Sequence, residues 1–327
     1  MTKSLDALLD PVAPDFKKWA SVIIVDGPDE TPTFTWHHYR DSEHSIDFWP
    51  ASVVKLYTCV AGCEKLNAMG LPTDVRLDFL RPDPRKVYAD HPQHPGYRVE
   101  ACRMFPEMCS GIFRESTNDD YTMQLRFYGI DAINTDFFTA ANGFTHTALM
   151  RGYVHLPPHV YERELPQRIE VTDPVTGESQ LVEHTWSGTS YSEKLGAHVL
   201  SKTTANCSTT RDMAECLRRV MFHEVIPEAE RFDLRPDQLK LLREGRDGYT
   251  GLKNTEYAWG WDDAVEAVMP EAEYFHKPGN ISNYYVELAY VRDAASGTRF
   301  VMAVATESRD KNPCRDCCKA IAAWAKK

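Results

Sequence analysis

Ser52 and Lys55 stand three residues apart in the run Trp49-Pro50-Ala51-Ser52-Val53-Val54-Lys55, at the first turn of a stretch with helical periodicity. Three residues apart on a helix means one face, which puts the amine within hydrogen-bonding reach of the hydroxyl. A serine hydroxyl is a weak nucleophile at neutral pH and needs a neighbouring base. A lysine serves where desolvation and nearby cations hold it neutral. The helix start adds free N–H groups suited to an oxyanion. Taken alone the spacing says little, because Ser308-Arg309-Asp310-Lys311 repeats it. Order adds weight: Ser116-Thr117-Asn118 follows in a polar stretch, and Lys277-Pro278-Gly279 comes later on a strand-like piece. A helix-capping turn is the alternative use of Ser116 and Asn118. Lys194-Leu195-Gly196 competes with the third group but has no strand pair directly after it.

The elements that must position these groups come from both chain ends. Ala20 to Asp26 and Thr33 to Tyr39 read as strands around a Gly/Pro/Asp-rich turn, behind a helical pattern of Leu5, Leu8, Leu9, Phe16 and Trp19. Asn283 to Arg292 and Arg299 to Thr306 mirror them, followed by a closing helix from Cys314 to Lys327. Strands near both termini with helices outside them imply one antiparallel sheet built from the two ends. Between them the pattern is largely helical, with helices expected over Ser52 to Met69 and Ser208 to His223. Residues 154–186 differ, being Pro-rich with a strand–turn–strand pattern, and read as a hairpin-bearing insertion.

Composition narrows the partners. The chain has 327 residues, 43% hydrophobic and 26% charged, an ordinary globular balance that excludes collagen, coiled-coil and disordered classes. Its 37 Lys+Arg against 48 Asp+Glu give a net charge of -11, which repels phosphate backbones and anionic lipid, so no nucleic-acid or membrane partner is expected. Neither a leader peptide nor a spanning helix is visible, so a cytoplasmic location is expected as written, and a periplasmic or secreted one if a leader was removed. Nine Cys, an odd number over a long chain, point away from a disulfide scaffold.

The series S-x-x-K, S-x-N, K-x-G in this order resembles the signature of the serine β-lactamases and penicillin-binding proteins. The likeness to a class A β-lactamase-type serine hydrolase spans residues 18–326. It includes Cys59 and Cys109 at positions where some class A enzymes carry a disulfide, and the run Cys207 to Met221. The resemblance implies an α+β fold: a five-stranded antiparallel sheet flanked by terminal helices, plus an inserted mostly helical domain. The sheet lobe would take residues 1–50 and 260–327 and the helical lobe 51–259. Ser52 would be the acylated nucleophile and Lys55 its base. Ser116 and Lys277 would relay a proton to the leaving group and hold an anionic end of the substrate. Asn118 would bind a substrate amide, and Gly279 and Asn280 would line the site, the N–H groups of Ser52 and Asn280 forming the oxyanion hole. Glu193 falls where the family has its deacylating base, with a solvated surface acid as the alternative, because Gly196 and Ala197 replace the expected Leu-Asn. Pro278 replaces the usual Thr or Ser of the third motif, removing a hydroxyl from the place where a carboxylate binds, and Thr117 replaces an Asp.

Substrate identity is therefore not inherited. The readings are β-lactam hydrolysis with its link to antibiotic resistance, an intracellular esterase, amidase or acyltransferase on the same fold, and a non-catalytic binding protein. Any of the enzymes would act on a small-molecule or peptide-like amide or ester without a cofactor, and the oligomeric state stays open. No metal site is expected, because neither His91/His94 nor His155/His159 has a third ligand nearby in sequence. Cys314, Cys317 and Cys318 read as helix residues, and His276 as a structural residue on the sheet face opposite Lys277.

Overall fold

The computed structural model describes residues 4–84, 91–153, 166–253 and 262–326. In chain order its strands are β1 (Lys17–Asp26), β2 (Thr33–His38), β3 (Arg76–Pro82), β4 (Tyr97–Met104), β5 (Gln167–Thr172), β6 (Ser179–His184), the two-residue pair β7 (Gly245–Arg246) and β8 (Tyr249–Thr250), β9 (Glu273–His276), β10 (Gly279–Ile281), β11 (Tyr284–Asp293) and β12 (Thr298–Glu307). The helices used below are α1 (Leu5–Leu9), α2 (Lys55–Ala68), α3 (Phe105–Glu115) and α4 (Asn118–Tyr128), with later ones given by their residues.

The two chain ends build one antiparallel sheet in the order β10-β11-β12-β1-β2, as expected. Its edge position is shared: β9 pairs with one half of β11 and β10 with the other. Five strand positions therefore hold six segments. β1, β11 and β12 are near-continuous apolar runs because successive side chains alternate between two faces that are both covered. Phe300, Met302 and Val304 of β12 pack on one side with Cys314, Cys317, Cys318 and Ile321 of the closing helix Asn312–Ala325. Val301, Ala303 and Ala305 face the opposite core, with Met213, Leu217 and Val220 of the helix Thr210–Met221. The three cysteines are thus one stripe of a helix against the sheet, and their thiols are free. That second helix starts at Thr209, whose hydroxyl accepts from the Asp212 N–H at 3.0 Å.

Two features depart from the expectations. The first helix stops at Leu9, and Trp19 lies in β1 rather than on its apolar face. The hairpin expected within 154–186 is present as β5–β6, while residues 154–165 of that span, with His155 and His159, lie outside the described residues. That hairpin does not stand alone: β5 pairs with β3, giving a second sheet in the order β4-β3-β5-β6 within a region read as helical. Cys59 and Cys109 are neighbours, both bonded to the Gln124 side-chain amide, at 3.4 and 3.3 Å, and both are free thiols.

Candidate active site

Ser52 lies in the single 3-10 turn Ala51–Val54 that runs into α2. Ala51, just before it, has φ of 49°, a left-handed conformation that costs a non-glycine residue about 1–2 kcal/mol. Two neighbours hold it there. The Tyr153 hydroxyl donates to the Ala51 carbonyl at 3.0 Å. Gly279 of β10 comes so close that a Cβ on it would stand 2.6 Å from the Ser52 amide nitrogen and 3.0 Å from the Ala51 Cβ. Only a glycine allows that approach, so the start of β10 lies against the Ser52 N–H.

Lys55, one turn on, is fully buried. Its amine donates to the Asn118 Oδ1 at 2.8 Å and to the Ser116 carbonyl, and it lies 3.2 Å from the Ser116 hydroxyl. The rings of Tyr121 and Tyr153 stand about 6 Å from it. Burial first, and then the charge of Lys277, pull its pKa down to about 6. Among the described residues nothing hydrogen-bonds the Ser52 hydroxyl.

Ser116 ends α3 in a left-handed conformation, φ 55°, and Asn118 opens α4 two residues later. The capping turn and the functional group are thus one structure. Lys277 reaches the same hydroxyl from the other side, its amine 2.9 Å from Ser116 Oγ and 2.8 Å from the Pro278 carbonyl. Pro278 has no N–H to give, which is why the edge strand breaks there into β9 and β10. Burial lowers the Lys277 pKa to about 7, against the pull of Glu287. Glu287 pairs with His276 at 3.0 Å inside the sheet, the structural use expected for that histidine.

The Lys55 amine donates to three oxygens, the Ser116 carbonyl, Ser116 Oγ and Asn118 Oδ1, and Lys277 donates to the same Ser116 Oγ, which links the two amines through one hydroxyl.

These groups border a cavity of about 170 Å³ lined by Trp49, Ala51, Ser52, Asn118, Arg151, Tyr153, Leu200, Asn280 and Ile281. Ser52, Asn118 and Asn280 are thereby brought to one space, with Lys55, Ser116, Lys277 and Gly279 behind it. Glu193 is not among them. It sits on the four-residue helix Tyr191–Lys194, about half exposed, with Lys202 at 3.7 Å. Among the described residues lining the cavity there is no carboxylate. Sequence reasoning passed over Arg151 and Tyr153, which carry no motif. Their one signal is position, just before the insertion. The Arg151 Nε is buried without a hydrogen-bond partner. His91 and His94, expected to have no third ligand nearby in sequence, lie beside Glu170, which the pairing of β5 with β3 brings to them.

No protein-family model and no curated protein matches the sequence. Solved structures do match. The TLA-1 extended-spectrum β-lactamase aligns over 99% of this chain and 100% of its own, with a TM-score of 0.58 and 12% identity. A β-lactamase from Burkholderia vietnamiensis aligns over 99% and 97%, at 0.57 and 13%. One from Sphaerobacter thermophilus DSM 20745 aligns over 98% and 94%, at 0.55 and 13%. At such identities the likeness establishes the architecture: the chain has a β-lactamase-like fold.

Proposed function

We propose that the protein is a serine acyl-transfer enzyme of the β-lactamase and penicillin-binding type, with Ser52 as the nucleophile. The observation that carries this reading is the Ser116 hydroxyl shared by two buried amines, Lys55 and Lys277, behind the Ser52 cavity. A surface serine needs no such apparatus, and keeping two amines out of water is costly unless their proton affinity is used.

In the proposed reaction the Ser52 Oγ attacks a carbonyl carbon and its proton passes to neutral Lys55. The carbonyl oxygen becomes an oxyanion held by the N–H groups of Ser52 and Asn280, which the approach of Gly279 to Ser52 supports. As the bond to nitrogen or oxygen breaks, the leaving group takes a proton from Ser116 Oγ, and Lys277 replaces it. An ester between Ser52 and the acyl group remains.

The second half of the cycle is where this site differs from a fast hydrolase. With Glu193 half exposed and no carboxylate among the described lining residues, we infer that water is poorly activated and the acyl-enzyme is long-lived. The same observation, with Pro278 in place of a hydroxyl residue, favours the second reading: an esterase, amidase or acyltransferase whose acceptor is brought by the substrate. Arg151 would supply the anion contact that Pro278 cannot make, so the acyl compound would carry a carboxylate or similar group.

Incubation with a chromogenic cephalosporin and a fluorescent penicillin, followed by colour and intact mass with Ser52→Ala as control, tests the reading. A stable single adduct that Ser52→Ala abolishes is expected. Rapid turnover would overturn the inference about deacylation. No adduct, with p-nitrophenyl esters cleaved only by the protein carrying Ser52, would leave the second reading, and no reaction with either class would overturn both.

A further inference from the structure

Outside the active site, one cluster has the composition of a metal centre. His91 and His94 lie on the turn that closes the connection between β3 and β4, and Glu170 lies in the middle of β5. One donor atom from each can be chosen so that all three lie within 4.8 Å of one another. The His91 Nε2 is 3.1 Å from one Glu170 oxygen and the His94 Nε2 is 3.6 Å from the other. Tetrahedral zinc with bonds of about 2.0–2.2 Å requires neighbouring ligands ~3.4 Å apart; each histidine stands about that far from one Glu170 oxygen, and the three donors, within 4.8 Å of one another, must draw together slightly to share an ion.

We propose that His91, His94 and Glu170 bind a divalent cation of the zinc type, which fastens this turn to β5. Several observations separate the cluster from a chance surface grouping. The side chains are only 11%, 13% and 7% exposed, leaving room for a water as fourth ligand and little more. The His94 Nε2 is buried without a hydrogen-bond partner and faces a Glu170 oxygen at 3.6 Å, beyond hydrogen-bonding distance. Glu170 is held by the Ser179 hydroxyl at 3.1 Å, the kind of outer contact that orients a ligating carboxylate.

The turn itself is rigidly made. The His91 N–H donates to the Tyr97 carbonyl at 2.8 Å, and the N–H groups of His94 and Tyr97 donate to His91 and His94 carbonyls at 3.1 Å. The two imidazoles are thereby set 4.8 Å apart, tilted by 32°, on the same side of the turn. The nearest cation on β5, Arg168, is ion-paired with Glu183 at 3.0 Å.

Donor chemistry selects the ion. Two imidazole nitrogens and one carboxylate suit zinc and its late first-row neighbours, whereas calcium and magnesium prefer oxygen ligands throughout. One contact must be given up: the His91 Nδ1 accepts from the Gln93 N–H at 3.3 Å, which places the neutral ring's proton on Nε2. A metal on Nε2 displaces that proton, and the ring then carries its hydrogen on Nδ1, at the expense of a long, exposed hydrogen bond.

The test uses the full chain stripped with a chelator and titrated at pH 7.5 with zinc chloride and, separately, cobalt chloride. Calorimetry should show one site per chain, cobalt should give the visible absorption of a four-coordinate ion, and zinc should raise the melting temperature. His91→Ala, His94→Ala and Glu170→Gln should each weaken binding at least tenfold and remove the thermal shift. Absence of binding would overturn the proposal. So would binding that survives all three substitutions, since the ion would then sit elsewhere.

Discussion

Replacing Lys55 by Met keeps a long unbranched side chain and removes the amine, and its effect on stability depends on pH in a way that tests the geometry. In the folded protein Lys55 has a pKa of about 6, against 10.5 for a free lysine. Between those values the unfolded state binds the extra proton, so stability rises with pH. At pH 7, holding the side chain neutral costs the wild type about 5 kcal/mol. The variant escapes that cost but leaves the Ser116 carbonyl and Asn118 Oδ1 without a donor, about 1–3 kcal/mol each. Near neutrality the two effects largely cancel. The slope does not cancel: above pH 6 the wild type should gain about tenfold in its folding constant per pH unit relative to the variant. Between pH 6.5 and 8.5 that is roughly 3 kcal/mol. Urea unfolding of both proteins at these two pH values measures it, since titrating groups not coupled to Lys55 drop out of the difference; Lys277, whose charge acts on Lys55, is controlled by repeating the pair in a Lys277→Met background. A gap that stays constant with pH would refute a neutral, buried Lys55 and with it the proposed base. The variant should also lose about 10²–10⁴-fold in acylation rate, the range for a lost general base.

Gly279→Ala should lower acylation by about 10²-fold or more and stability by about 1–3 kcal/mol, because the new Cβ would push β10 off the Ser52 amide; stopped-flow acylation and urea unfolding read the two effects. The acylation rate of the unmodified protein should rise with pH through an apparent pKa near 6 as Lys55 loses its proton and fall again above about 7 as Lys277 loses the proton it supplies, and a profile flat from pH 5 to 8 would count against both roles. Arg151→Gln should raise KM about tenfold or more for acyl compounds carrying a carboxylate and leave neutral esters unaffected. Glu193→Gln should change acylation and deacylation by no more than about twofold, as for a surface substitution, whereas deacylation at least tenfold slower than in the unmodified protein would restore it as the deacylating base.

What could be read from the sequence was what repeats. β1, β11 and β12 are covered on both faces, so their apolar runs are long and bounded by turns, and they were found within a few residues. Ser52, Lys55, Ser116, Asn118 and Lys277 were legible because their order along the chain is itself a pattern. β3 and β4 were not, because β4 is half-exposed along most of its length and β3 pairs with β5 far along the chain. That missed pairing also hid the closeness of Glu170 to His91 and His94. Glu193 was placed by counting along the chain, and no periodic element spans the interval to carry the count. It falls instead on a single helical turn closed by Gly196 at φ 82°.

Backbone strain is the part of the site that composition and spacing could not express. Ala51, Ser116 and Leu200 all have positive φ, at 49°, 55° and 62°. Ala51 and Leu200 line the cavity and Ser116 lies behind it. Each costs on the order of 1–3 kcal/mol and persists only where surrounding contacts over-determine it. At Ala51 those contacts are the Tyr153 hydroxyl and the bare Gly279 backbone, and at Ser116 they are the two lysine amines. The same contacts that enforce the strain present the Ser52 N–H and the Ser116 hydroxyl to one another's substrate. Substituting Ala51 by Gly should therefore remove strain and raise stability while loosening the Ser52 turn, so that acylation slows although no functional group has been deleted. If acylation stayed unchanged as stability rose, the strain would be incidental to the site.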